Sequence, residues 1–284
     1  MDKTYRFSNF HTHCYLDDGQ ESLEAYVLKA LSLNFNALGF SCHAPVPFDD
    51  EGHLRSEDFD SYLKTIYELK AAYKDRIEIY AGLELDYLEQ SNEMAGSEYA
   101  DRLDFTIGSL HVMYCNDEFG YLSIDYRPED FEKILDCRFS GNIKDMVSHF
   151  WHLQTLMVEQ HRFSFFGHCD AIKKLNEGNR YFNAQEAWYQ ELVAPFLQSL
   201  ARNHVRMEVN TGGLARGKTN ETYPSNSIIR QAVALGIPLL LSSDAHQSET
   251  LDFYFQQAHD EIIQAGAKSL DTLYHGLWIK RPIV

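Results

Sequence analysis

Two histidines one residue apart, in Phe10-His11-Thr12-His13-Cys14, follow a β-prone run at 5–10. In extended backbone, side chains at i and i+2 point to the same side. Two imidazoles can therefore grip one metal ion from the end of a single strand. Further candidate donors recur along the chain: Asp17 and Asp18, His43, Glu84 and Asp86, His111, His168 and Asp170, then Asp244 and His246 in Ser-Ser-Asp-Ala-His. The six histidines (His11, His13, His43, His111, His168, His246) and several carboxylates exceed the ~3–4 protein ligands that one zinc takes. Two or three divalent ions are implied, and a carboxylate such as Glu84 can bridge two of them. Imidazole with carboxylate suits Zn, Fe or Mn, and thiolates do not cluster as in a structural zinc finger. Ions grouped in this way polarise a phosphoryl oxygen and bring the pKa of bound water from about 15.7 toward ~7.

The elements that must position these residues can be read from the apolar pattern. Strands are predicted at 6–10, 37–41, 77–83, 105–109, 164–167, 205–209 and 238–242, short runs rich in Val, Ile, Leu, Phe and Tyr. Helical patterns lie between them. Leu23, Tyr26, Val27, Ala30 and Leu31 form one stripe, capped by Ser22; Phe59, Tyr62, Leu63, Ile66, Leu69 and Tyr73 form another. Asn183-Ala-Gln-Glu186 reads as a capping box before a long helix kinked at Pro195. Ser225 opens a helix that Gly236 stops. Residues 113–161 read as a loop with helices near 129–136 and 143–161, an elaboration between two strands. The alternation predicts one α/β domain over 1–284, a barrel of seven parallel strands. Nearly every candidate ligand then falls just after a strand, on the face where such barrels carry their sites.

Each residue also has a plainer reading. A single histidine at a strand end is more often a hydrogen-bonded loop residue than a ligand; recurrence at successive strand ends carries the argument. His53, His149, His152, His161, His204, His259 and His275 lack that placement and are assigned no site role. Cys14, Cys42 and Cys169 read as small residues packed beside the site. The acidic run Asp49-Asp50-Glu51 reads as solvated loop. Arg216 follows the sixth strand and Arg180 the fifth, so both can reach the mouth, where a guanidinium suits phosphate; for each the competing role is a surface ion pair. Lys173, Lys174 and Lys218 are weaker candidates.

Bulk composition narrows the class. Acidic residues outnumber basic ones, 42 to 25, for a formal net charge of −17. That disfavours a general nucleic-acid binder and suits a substrate that carries an amine. Five cysteines without a CxxC pair, no apolar leader in Met1-Asp2-Lys3-Thr4, and no apolar run near ~20 residues fit a reduced cytoplasmic protein without a membrane span.

With these motifs in place, the chain resembles the PHP (polymerase and histidinol phosphatase) superfamily. The matching motifs are His11-Thr-His13, Ser41-Cys-His43, Gly82-Leu-Glu84, Gly108-Ser-Leu-His111, Gly167-His168-Cys-Asp170 and Ser243-Asp244-Ala-His246. Phe7-Ser-Asn-Phe-His-Thr-His13 and Glu208-Val-Asn-Thr-Gly-Gly-Leu214 are similar to the stand-alone histidinol-phosphate phosphatases within it. The resemblance implies a distorted (β/α)7 TIM-like barrel and a trinuclear centre. One metal would take His11, His13, Glu84 and Asp244. A second would share Glu84 and take His111 and His168. A third would take His43, His246 and Asp18; many members have histidine at that last place, so Asp17 or Asp18 must substitute.

The implied reaction is hydrolysis of a phosphate monoester, L-histidinol phosphate, by a metal-bridging hydroxide, as in histidine biosynthesis. Glu84, Asp244 and His246 are the expected catalytic residues, the last two for proton transfer, and Arg180, Arg216 and His43 the phosphate-binding ones. The expected partner is a small phosphorylated amino alcohol, whose ammonium needs a carboxylate that the sequence does not single out. Oligomeric state is not legible. Two rival readings keep the motifs: a phosphoesterase acting on phosphotyrosine or nucleotides, and a metal-stabilised scaffold. The acidic balance weighs against a nuclease, and the intact ligand set against a scaffold.

Overall fold

The computed structural model describes residues 5–48 and 52–283. Met1-Asp2-Lys3-Thr4 and the acidic run Asp49-Asp50-Glu51 lie outside the described residues. In chain order the elements are β1 (Ser8–Asn9), α1 (Leu23–Ser32), β2 (Ala37–Phe40), α2 (Phe59–Tyr73), β3 (Glu78–Leu88), β4 (Glu93–Met94), β5 (Phe105–Ser109), β6 (Val112–Asn116) and β7 (Gly120–Ser123). They continue with α3 (Pro128–Phe139), α4 (Ile143–Gln160), β8 (Phe165–Phe166), α5 (Ala187–Asn203), β9 (Arg206–Asn210), α6 (Gly212–Ala215), α7 (Asn226–Ala234), β10 (Leu239–Ser242), α8 (Phe255–Gln264), β11 (Ser269–Tyr274) and β12 (Leu277–Pro282).

Seven of the strands pair in parallel in the order β1-β2-β3-β5-β8-β9-β10. The ends meet beyond the regular strands: Thr12 bridges Ala245 in parallel, and His13 N donates to Ala245 O at 3.0 Å. The result is the nearly closed seven-stranded α/β barrel expected from the sequence. All seven predicted strands are present. β1 and β8 are shorter than their apolar runs, and β3 extends five residues beyond its predicted end at Leu83.

Alternation along the strands sorts residues into two cores. Leu83, Leu85, Met207, Val209, Leu239 and Leu241 face the helices in one buried cluster. Phe10, Tyr80, Phe105, Ile107, Phe165 and Leu240 fill the barrel interior in a second. The same inward columns change character towards the C-terminal end. Tyr80 gives way to Glu84 and Asp86, Phe105 to Ser109, and Leu240 to Ser242. Gly39 and Gly82 are needed here because a Cβ on either would lie within 2.7 Å of the Phe105 ring.

The interior is closed from below by the antiparallel hairpin β11–β12, which the sequence reading did not anticipate. Its turn residues, His275 and Gly276, both have positive φ, 48° and 75°, as a two-residue primed turn requires. Leu273 joins the interior cluster, and Trp278 packs on Phe10 and Phe165 at ring distances of 5.5 and 6.0 Å. Arg206 lies over the Trp278 ring and pairs with Asp271 at 2.8 Å.

The helix signals named from the sequence hold with two exceptions, and α6 and α8 were not among them. Ser22 caps α1 through Ala25 N, and Gly236, at φ 72°, follows α7. The expected capping box does not form: Asn183 Oδ1 accepts from Gln185 N in a turn, and α5 starts at Ala187 without a side-chain cap. Pro195 lies inside α5, which runs on through it to Asn203. The elaboration is not only helical. It begins with the β6–β7 hairpin, fastened when Glu89, just past β3, accepts from Tyr114 N and pairs with Arg138 of α3 and His149 of α4. Among the described residues, no helix is long and apolar enough to cross a membrane.

Candidate metal centre

The polar ends of the inward columns converge at the C-terminal mouth. Glu84 is at the centre, fully buried, because β3 continues past the apolar interior. Its Oε2 lies 3.0 Å from His11 Nε2, 3.2 Å from His43 Nδ1 and 3.6 Å from His13 Nε2. Its Oε1 lies 2.9 Å from His168 Nε2 and 3.4 Å from His111 Nε2, and accepts from Ser109 Oγ at 2.6 Å. The two oxygens of one carboxylate thus face two different groups of histidines.

Asp244 sits beyond β10 with φ 49°, a left-handed conformation that Asp tolerates better than most residues. Its Oδ1 lies 3.2 Å from His13 Nε2 and 3.7 Å from His11 Nε2, while Oδ2 pairs with Arg216 Nη2 at 2.7 Å. A third group gathers nearer the rim: His13, Asp18, His43 and His246. The His13 and His246 rings stack at 4.2 Å, and His246 Nε2 lies 3.0 Å from Asp18.

Several sets of these donors have their ligand atoms within 4.8 Å of one another, among them His11–His13–Glu84, His11–His168–Asp244 and His13–Asp18–His43–His246. Two buried ring nitrogens, His13 Nε2 and His43 Nδ1, have no hydrogen-bond partner among the described residues, although each lies 3.2 Å from a carboxylate oxygen. A buried nitrogen left orphaned is costly. One aimed at carboxylate oxygens suits a cation, and the donor set fits Zn, Fe or Mn.

Electrostatics favour the same occupant. Burial opposes charge on His11, but Glu84, Glu208 and Asp244 outweigh it and raise its pKa to about 10. His111 is likewise raised to about 10 against burial, by Asp86 and Glu84. His43, where burial prevails, falls to about 4 and is neutral at pH 7 with a free lone pair. Against their own burial, Glu84 is held well below the usual carboxylate range by His11, His111 and His43, and Asp244 by Arg216 and His11. Buried carboxylates in this number need positive charge beside them, as protons on histidine or as metal ions.

The structure separates the two adjacent aspartates. Asp17 is taken up: Oδ2 lies 2.7 Å from His13 Nδ1 and accepts from His43 N at 3.0 Å, and Oδ1 accepts from Cys14 N at 2.8 Å. Asp18, 40% exposed, faces His246 instead. Cys14, Cys42 and Cys169 are buried as expected, and the first two have Sγ atoms 3.3 Å apart beside Asp17.

The two arginines part company. Arg216 is at the mouth: Nη1 donates to Asp244 O at 2.9 Å and lies 3.1 Å from His246 Nδ1. Arg180 is 58% exposed and pairs with Glu132 at 2.5 Å, the surface role that competed with phosphate binding. Asp170 pairs with Lys173 at 2.8 Å, and Lys174 with Asp125 at 2.8 Å.

Sequence reasoning missed two neighbours. His53 Nε2 lies 3.4 Å from Asp86 Oδ2, with its ring 5.3 Å from that of His43; it comes from a loop and carries no positional signal. Glu208 is fully buried in β9, with His11 Nδ1 3.0 Å from its Oε2. Its signal was available: in Met207-Glu208-Val209-Asn210, acid and amide alternate with apolar residues, which turns both inward.

A seven-stranded α/β barrel whose mouth gathers histidines and carboxylates from most strand ends defines a class of proteins built around a cluster of donors suited to metal. The PHP domain family matches residues 8–212, and the chain belongs to that family. The chain is 24% identical over 265 residues to the histidinol-phosphatase of Bacillus subtilis (strain 168), covering 88% of this chain and 97% of that one. It is 25% identical over 270 residues to the histidinol-phosphatase of Lactococcus lactis subsp. lactis (strain IL1403), covering 93% and 92%. Its fold matches the crystal structure of histidinol phosphate phosphatase from Lactococcus lactis subsp. lactis Il1403, complexed with zinc, L-histidinol and phosphate, with a TM-score of 0.74 at 21% identity over 97% of this chain and 99% of that one.

Proposed function

We propose that the protein is a metal-dependent phosphate monoester hydrolase that converts L-histidinol phosphate to L-histidinol and phosphate. The observation that carries this reading is the double face of Glu84, with a guanidinium at the same mouth. The names of the Bacillus and Lactococcus relatives, and the ligands in the Lactococcus structure, support the choice of substrate.

One ion would take His11, His13, Glu84 and Asp244, a second Glu84, His111 and His168, and a third His43, His246 and Asp18. When bound, such ions act as Lewis acids on phosphoryl oxygen and supply a nucleophile from water near neutral pH. Arg216 adds a charged, planar donor for the phosphate. It also holds Asp244 ionised, so that this carboxylate can accept a proton. His246, between Arg216 and Asp18, turns Nε2 to the Asp18 carboxylate, and the two would hold the third ion together.

The test is phosphate release, with zinc or manganese added, from L-histidinol phosphate, phosphotyrosine and p-nitrophenyl phosphate. L-histidinol phosphate should lead in kcat/KM by at least ~10-fold. Parity with the aryl ester would remove the substrate assignment, and no release from any of the three would remove the hydrolase reading.

A further inference from the structure

Behind the candidate ligands stands a second set of carboxylates with one repeated arrangement. Asp17 Oδ2 lies 2.7 Å from His13 Nδ1 and accepts from His43 N at 3.0 Å. Asp86 Oδ1 lies 2.9 Å from His111 Nδ1 and accepts from the same residue's backbone N at 3.2 Å. Glu208 lies 3.0 and 3.2 Å from His11 Nδ1 through its two oxygens and accepts from His168 N at 2.6 Å. Each carboxylate therefore holds one imidazole by Nδ1 and one ligand histidine by its backbone.

We propose that Asp17, Asp86 and Glu208 are positioning residues that place the proton of His13, His111 and His11 on Nδ1, turn Nε2 of each ring towards the ions, and set the affinity of the centre for metal. The inference rests on the metal reading above. A carboxylate can only accept, so the ring nitrogen facing it carries the hydrogen. The other nitrogen is left as the donor to a metal, with its basicity raised by the charge behind it. The inward geometry agrees. His11 Nε2 faces Glu84 at 3.0 Å, His13 Nε2 faces Asp244 at 3.2 Å, and His111 Nε2 lies 3.2 Å from His168 Nε2. His43 is the internal contrast: it turns Nδ1 to Glu84 at 3.2 Å, and among the described residues the carboxylate on its Nε2 side is the rim residue Asp18, at 3.9 Å.

Glu208 carries the largest share. Oε1 also accepts from Asn210 Nδ2 at 2.9 Å, and Oε2 from the Ser242 hydroxyl. One buried side chain thus ties β9 and β10 to ligands that follow β1 and β8. An amide nitrogen in place of either oxygen would face hydrogen-bond donors, and the negative charge behind His11 would be gone.

The test has two parts. In protein labelled with ¹⁵N-histidine, zinc loading should shift Nε2 of three rings while their Nδ1–H resonances persist. Loss of the Nδ1–H resonance of His11, His13 or His111 on zinc loading would overturn the proposal. In Glu208→Gln, zinc affinity measured by chelator competition should fall about 10–100-fold. Asp86→Asn gives the same readout at a site with fewer hydrogen bonds, should the Glu208 variant not fold. Unchanged affinity in a folded variant would leave these carboxylates with only a structural role. Wild-type protein that binds no zinc would overturn the metal reading itself, and the positioning role with it.

Discussion

Asp18 and His246 meet at 3.0 Å although 228 positions separate them. The contact closes the rim group across the seam where the first and last parallel strands join. It also divides labour between two adjacent aspartates, since Asp17 is wholly engaged with His13, Cys14 and His43.

That division predicts opposite phenotypes. Asp18→Asn should keep its melting temperature near the wild-type value, lose one equivalent of bound metal and lower kcat. Asp17→Asn leaves buried donors unsatisfied and should cost about 2–4 kcal/mol of stability, read by denaturant titration. Metal stoichiometry by elemental analysis separates the two.

Glu84→Ala removes the one carboxylate among the described residues that faces both groups of histidines. Activity should fall below detection and bound metal should drop by more than one equivalent. Full activity in this variant would end the bridging role.

Arg216→Ala should mainly raise KM for phosphate esters, with some loss of kcat because Asp244 loses its partner. Arg180→Ala should leave both constants within ~2-fold, as expected of an exposed ion pair. A large KM effect from the Arg180 variant would restore it to the site.

Metal binding should be pH-dependent. His11 and His111 hold protons up to about pH 10 in the metal-free protein, so ions must displace them. Zinc affinity should therefore rise as pH increases from ~6.5 towards 10. Stability of the metal-free protein should run the other way. The raised histidines contribute fully below their unfolded pKa of ~6.5, and that contribution is lost as pH rises through about 10. The depressed carboxylates Glu84 and Asp244 contribute above ~4 and lose their contribution in acid. Metal-free protein should thus be most stable between ~4.5 and 6.5, and a melting-temperature profile that climbs to pH 9 would contradict this account.

Trp278→Ala should destabilise the fold by about 2–3 kcal/mol, less than a fully buried tryptophan would, because the residue is half-buried. KM for the substrate should not change, since the hairpin closes the end of the barrel away from the mouth.

The barrel strands, most of the helices and the histidines and carboxylates that gather at the mouth could be read from the chain, because each depends on local information. Short apolar runs mark strands, and histidine or carboxylate just past a run marks a mouth residue. The C-terminal hairpin escaped because its turn is His275-Gly276 rather than a commoner pair, and because Trp278 explains itself only against Phe10 and Phe165. Glu208 lay in an alternating strand, but nothing local says that the imidazole it supports is His11.

By itself, then, the sequence determined residue types and their order after successive strands, which suffices for the barrel and for a cluster of histidines and carboxylates at its mouth. Only the tertiary structure decided that Asp18 rather than Asp17 faces His246, that Arg216 reaches the mouth while Arg180 pairs with Glu132, and that Asp17, Asp86 and Glu208 stand behind His13, His111 and His11. The physical reason is range. Strand formation and strand-end placement follow from neighbours a few residues away, whereas the partner of a charge or of a ring nitrogen is set by side chains that meet only when the barrel closes.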